Sequence, residues 1–227
     1  MVIVHHLENS RSQRVLWALE ELGVPYEVKR YERDPVTNLA PKSLKQVHPL
    51  GKSPVITDSH SDLGAVTIAE SGAIIEYLVK TYGDESYTVK QGTEASLQYD
   101  YWMHFSEGSL MQQLLLKIIF DKVSSSPMPF FVKPIAKGIA KKVMKGYVDP
   151  NIRSMLDYIE SYLNDHDWFA GDSLTGADIQ MIFPLEACVM SGTAGEKYPN
   201  VKAYVKRIHA REGYQKALAV GGPYDYA

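Results

Sequence analysis

Hydrophobic periodicity changes character once along this chain. Up to residue 82, short β-branched runs at 2–6, 26–31, 55–58 and 66–68 predict strands, and the longer stretches 12–22 and 71–82 predict helices. The order is βαβ followed by ββα. Tyr82-Gly83-Asp84-Glu85-Ser86-Tyr87 has turn chemistry and breaks the periodicity, so a boundary is expected there. Beyond it the apolar positions recur at helical spacing, predicting helices over 93–122, 134–165, 176–191, 200–210 and 213–218 without a solenoid repeat. The expected architecture is an α/β domain over residues 1–82, a linker over 83–92 and an all-α domain over 93–227.

Composition narrows the class of protein. With 45% hydrophobic and 22% charged residues in 227, the chain can bury a sizeable core. A net charge of −3 argues against a nucleic-acid partner. No run approaches the about 18 apolar residues of a spanning helix, and Met1-Val2-Ile3-Val4-His5 lacks a signal peptide's charged start, so a cytoplasmic protein is expected. Cys188 is the only cysteine, which leaves no intramolecular disulfide, thiolate metal cluster or Cys-x-x-Cys dithiol. It falls at helical spacing among Ile182, Leu185 and Val189, where a buried thiol is expected. His5 and His6 are adjacent on a strand, point to opposite faces and do not chelate one ion, so no metal is expected.

Two short motifs carry the chemistry. In Gly51-Lys52-Ser53-Pro54-Val55-Ile56, a proline heads a β-branched run although it cannot donate to a ladder; it therefore belongs at the first strand residue or in a tight turn. A cis Ser53-Pro54 bond is one such solution, and it would turn the Ser53 backbone outward to pair with a ligand backbone. In Ala69-Glu70-Ser71-Gly72-Ala73-Ile74, Glu70 and Ser71 stand at a helix start, whose free N–H groups can bind a carboxylate while Glu70 takes an ammonium. A ligand with an α-amino acid end, a peptide middle and a second carboxylate near Lys52 satisfies all of these groups. Glutathione is such a molecule.

With these residues stand two further segments: the opening His5-His6-Leu7-Glu8-Asn9-Ser10-Arg11-Ser12-Gln13-Arg14-Val15-Leu16-Trp17 and the late Phe169-Ala170-Gly171-Asp172-Ser173-Leu174-Thr175-Gly176-Ala177-Asp178-Ile179. In this order, and with His48-Pro49-Leu50 leading into the first motif, the chain resembles the cytosolic glutathione transferases over essentially all its length, and within them a fungal or bacterial subgroup. The resemblance implies a thioredoxin-like α/β domain followed by an all-helical domain. It implies glutathione as co-substrate with no other cofactor, a hydrophobic electrophile or peroxide as second substrate, and a homodimer.

Activation of glutathione as a thiolate is the expected mechanism. Helix-end N–H groups and a donated hydrogen bond can bring a thiol's pKa from about 8.5 to near neutrality. The family's tyrosine is absent before Tyr26, and Ser10, four residues ahead of Arg14, resembles the serine of serine-type transferases. Ser10 is the leading donor; the competing reading is a cap on the first helix, and Ser12 and Asn9 are alternatives. Asn9, Arg11, His48, Lys52, Ser53, Pro54, Glu70 and Ser71 are the expected glutathione contacts, and Leu7, Tyr101, Phe105 and Ser109 the expected wall for the second substrate. A glutathione-binding carrier of the same fold is the alternative to an enzyme, and the missing active-site cysteine disfavours a thiol–disulfide oxidoreductase.

Two elements are read as structural. Thr175 and Asp178 have the spacing of a capping box. Lys133, Lys137, Lys141 and Lys145 run opposite Ile135, Ile139 and Val143, a basic amphipathic helix whose apolar face is expected on its own domain rather than on an acidic membrane.

Overall fold

The chain forms four strands and nine α-helices among the described residues, 1–61, 64–84 and 86–227, of a computed structural model. Glu85 of the expected boundary turn lies outside them. The first part is β1 (Val2–Leu7), α1 (Ser12–Glu21), β2 (Tyr26–Tyr31), a 3₁₀ turn (Lys42–Gln46), β3 (Val55–Ser61), β4 (Gly64–Ala69) and α2 (Ser71–Tyr82). Strand order is β2-β1-β3-β4, with β1 and β2 parallel and the other pairs antiparallel. This is the βαβ-ββα plan of the thioredoxin-like fold. Val2 and Val4 of β1 and Ile56 of β3 are buried against Leu16 and Trp17 of α1 and Ile74, Ile75 and Leu78 of α2, as alternation and helical spacing require.

The rest is helical: α3 (Glu94–Phe105), a π-turn (Ser106–Leu110), α4 (Met111–Ser125), α5 (Lys133–Val143), a second π-turn (Met144–Val148), α6 (Asp149–Asp165), α7 (Gly176–Met190), α8 (Pro199–His209) and α9 (Glu212–Gly221). The two long helices expected from periodicity are each interrupted by a π-turn. One core joins both parts: α7 brings Ile179, Ile182 and Leu185 into the same cluster as the sheet residues. Cys188 is fully buried there, and burial pushes its thiol up to about 12. α9 packs on α1, where Trp17 meets Tyr214 edge-on at 5.7 Å and Arg211 forms a bidentate ion pair with Glu21.

Thr175 and Asp178 form a buried capping box. The Asp178 carboxylate accepts from the Thr175 N–H (2.8 Å), the Phe169 N–H (2.9 Å) and the Tyr204 hydroxyl (2.8 Å), which ties the start of α7 to α8. The basic helix departs from expectation. Its buried edge is the small-residue stripe through Ala140, with Ala136 and Val143 half-buried, while Ile135 and Ile139 are exposed. Alanines let α5 approach α4 closely, and the bulkier isoleucines are left outside that contact.

Candidate active site

A groove of about 300 Å³ lies between the edge of the sheet and the junction of α3 and α4. His48, Lys52, Ser53 and Pro54 line one side, Glu70 and Ser71 the next, and Arg11, Glu107 and Leu115 the opposite wall. Each is positioned for a local reason. Pro54 precedes the first ladder residue, since the β1–β3 register ends at His5 opposite Val55, so its missing N–H takes nothing from the sheet. The Ser53–Pro54 bond is cis, and the Ser53 hydroxyl ties the turn to β1 through the His5 carbonyl at 2.9 Å.

Glu70 is the N-cap of α2 and holds φ 72°, ψ 120°, a region that side-chain-bearing residues seldom enter. Such a conformation outside glycine persists only where surrounding structure imposes it, and it clusters at ligand sites. Here the first turn closes by the Ile74 N–H donating to the Glu70 carbonyl at 2.9 Å. No side chain caps this helix start among the described residues, and it faces the groove.

The opposite wall is a charge cluster. Glu107 accepts from Arg11 Nε at 3.0 Å and from the buried Arg14 guanidinium. Burial pushes the Glu107 carboxyl up, but the Arg14 and Arg11 guanidiniums outweigh it and hold the group below the usual carboxylate range. Arg14 also donates to the Gln180 carbonyl (2.6 Å), and both arginines lie over the Phe183 ring, at 5.2 Å for Arg14 and 5.6 Å for Arg11. Arg11 is thereby held with its guanidinium at the groove while Glu107 and Phe183 fix its plane.

The first turn itself is folded inward. The buried Ser10 hydroxyl lies 2.8 Å from the Leu7 carbonyl and 2.8 Å from Ser12 Oγ, and accepts from the Ser12 N–H at 3.2 Å. Ser12 Oγ reaches His6 Nδ1 at 2.8 Å. His6 is pushed down to about 4 by burial first and Arg30 second, against an opposing hydrogen bond to the Gly221 backbone, so it is neutral at pH 7. A hydroxyl has one proton to donate, and that of Ser10 has internal acceptors at both ends.

Arg11, His48, Lys52, Ser53, Pro54, Glu70 and Ser71 thus come together in one groove. The other expected site residues do not reach it. Ser10 points inward, its hydroxyl held at the Leu7 carbonyl and Ser12, just ahead of Arg11, the N-cap of α1. Asn9, at φ 46°, pairs twice with Asp225, donating from Nδ2 to the carboxylate and accepting from the Asp225 N–H, both at 2.9 Å. Leu7 is buried with Tyr31 and Leu44. Tyr101, Phe105 and Ser109 line a separate depression with Leu97 and His104, in which Leu115 takes no part. Glu107 and Leu115 were missed by sequence reasoning. A serine and a glycine inside a helical run, Ser106 and Gly108, are the weak signal for the π-turn that presents Glu107.

A thioredoxin-like sheet with a cis-proline turn and an open helix start, joined through one core to a helical half, defines the class. Two family models match: the glutathione S-transferase N-terminal domain over residues 10–81 and the C-terminal domain over residues 120–212. Glutathione S-transferase 3 of Schizosaccharomyces pombe is 37% identical over 93% of this chain and 84% of its own, and glutathione S-transferase 1 of Saccharomyces cerevisiae is 33% identical over 97% of each. A glutathione S-transferase structure from Actinobacillus pleuropneumoniae superposes with a TM-score of 0.78 at 30% identity, covering 100% of this chain and 95% of that one. The chain belongs to the glutathione S-transferase family.

Proposed function

We propose that this chain is a glutathione transferase that binds glutathione in the groove and presents it as a thiolate to a hydrophobic electrophile. One observation carries the reading: Lys52 and His48, the Ser53–Pro54 turn and the Glu70–Ser71 helix start lie in sequence along one groove. That array matches the glycyl carboxylate, the peptide middle and the γ-glutamyl amino acid end in turn. Residues 1–82 then form the glutathione-binding domain and 93–227 the domain that offers the second substrate, working in the cytoplasm and, as in the family, as a homodimer. Leu50 and Leu115 are the apolar groups beside the groove against which the electrophile lies.

For thiolate stabilisation the inward Ser10 hydroxyl leaves Arg11, whose cation and helix-start position both favour negative charge. The thiolate attacks the electrophilic carbon, forming a C–S bond as the leaving group departs or the double bond takes up a proton. The same thiolate can attack a peroxide oxygen, breaking the O–O bond to release an alcohol and leave a sulfenate that a second glutathione condenses to disulfide and water. Ultraviolet titration of bound glutathione tests the assignment: Arg11→Ala raises the thiol's apparent pKa by about one unit or more while binding persists, and Ser10→Ala leaves it within a few tenths. Wild-type ionisation in Arg11→Ala together with a raised value in Ser10→Ala returns the role to Ser10. The inward hydroxyl also supports a second reading, a glutathione-binding carrier, which holds if wild type binds glutathione with its thiol protonated and turns over neither aryl halides nor hydroperoxides.

A further inference from the structure

The helical hairpin of α4 and α5 carries apolar surface that the fold does not use. On α4, beyond Leu115 of the groove, Ile118, Ile119 and Val123 are all exposed. At the tip between the helices Phe130 is 87% exposed and Phe131 65%, the two rings edge-on at 5.6 Å. On α5, Ile135 and Ile139 stand one turn apart and are 63% and 55% exposed. Soluble proteins rarely leave so many large apolar side chains together in water unless the patch is an interaction site.

The charge of the same segment is equally one-sided. Residues 111–148 contain seven lysines, Lys117, Lys122, Lys133, Lys137, Lys141, Lys142 and Lys145, against the single acid Asp121, in a chain whose net charge is −3. Asp121 is paired with Lys117, and the α5 lysines are solvent-exposed. Aromatic and branched aliphatic groups on one side of a helix whose opposite side carries exposed lysines is the chemistry of a helix that lies in the headgroup boundary of an acidic bilayer. An acidic protein partner would meet the lysines but not the two phenylalanines at an exposed tip. None of the described helices is long and apolar enough to cross a membrane, so contact of this kind is peripheral.

We propose that the α4–α5 hairpin is a docking surface for anionic lipid bilayers, with Phe130, Phe131, Ile135 and Ile139 seated among the headgroups and the α5 lysines on acidic lipid. The proposal goes beyond glutathione transfer and does not depend on it. Flotation of the full chain with phosphatidylcholine vesicles, with and without phosphatidylserine, tests it. Protein floats with the phosphatidylserine vesicles, and the floating fraction falls as salt is raised. Phe130→Ser/Phe131→Ser and Lys137→Glu/Lys141→Glu each lower the partition coefficient by about ten-fold or more, while conjugation turnover of both variants, whose altered residues lie outside the groove, stays at the wild-type rate and reports an intact fold. Absence of a floating fraction, equal flotation on neutral vesicles, or unchanged flotation of the phenylalanine variant overturns the proposal. Sedimentation velocity distinguishes the other occupant: if the phenylalanine variant has a smaller mass than wild type, the surface belongs to a second copy of this chain and the lipid assignment is overturned.

Discussion

The starts of α2 and α7 are built from the same elements and put to opposite use. At α7 the exposed N–H groups of a helix start are taken up from within: Asp178 reaches back to Thr175, gathers Phe169 and Tyr204 as well, and the whole arrangement is buried. At α2 the N-cap is Glu70, exposed, in a left-handed conformation and facing the groove. One helix start is completed by its own chain and the other opens onto the groove. The contrast separates two uses of one device within one molecule: at α7 the partners are internal and hold the fold, and at α2 the helix start is left open at the groove where we propose that glutathione binds. The start of α1 stands between them, with Ser10, Ser12 and His6 closing on one another and Arg11 left at the groove.

The largest effect is expected where the partners are internal. Asp178→Ala leaves the Phe169 and Thr175 N–H groups and the Tyr204 hydroxyl without their acceptor, and lowers unfolding free energy by about 3–5 kcal/mol. Thr175→Ala, which leaves Asp178 with its backbone donors, lowers it by only about 1 kcal/mol. Urea unfolding midpoints at constant slope measure both. Equal losses would mean that the cap and not the carboxylate network carries the contact between α7 and α8.

The α1 start gives a pH signature. His6 titrates at about 4 in the folded chain against 6.5 when unfolded. Between those values the unfolded chain binds a proton that the folded chain refuses, so this contribution is complete above pH 6.5 and is lost as pH falls toward 4, in all by about 3 kcal/mol. Unfolding free energies of wild type and His6→Gln measured across that window should converge as pH falls. Parallel curves would place His6 in water rather than in the closed network.

The smallest effect on folding is expected at the open start. Glu70→Gln weakens glutathione binding by about ten-fold through loss of the ammonium contact. Its melting temperature stays at the wild-type value. A variant that melts early but binds normally would reverse the contrast.

Much of this was legible in the sequence because the signals are local. The strands and α2 follow from β-branched runs and helical spacing, Pro54 announces its turn because a proline is tolerated in few places near a ladder, and Thr175-x-x-Asp178 reads directly as a cap. What escaped depends on contacts between distant residues. The direction of the Ser10 hydroxyl is decided by Leu7, Ser12 and through it His6, and Asn9 is claimed by Asp225 at the far end of the chain. Glu107 lies in a π-turn that periodicity reads as continuous helix, and the outward isoleucines of α5 reflect a choice between two helix faces that periodicity alone cannot make.

The burial of Cys188 has a consequence for how such a catalyst behaves under load. A protein that meets reactive electrophiles is itself a target for them, and its lone thiol is sealed in the core and held protonated. The nucleophile is brought in afresh by each glutathione molecule, so the reactivity that does the work never resides in the chain. Turnover then follows the cell's supply of glutathione, and when that supply runs out the protein falls idle with its own sulfur unalkylated.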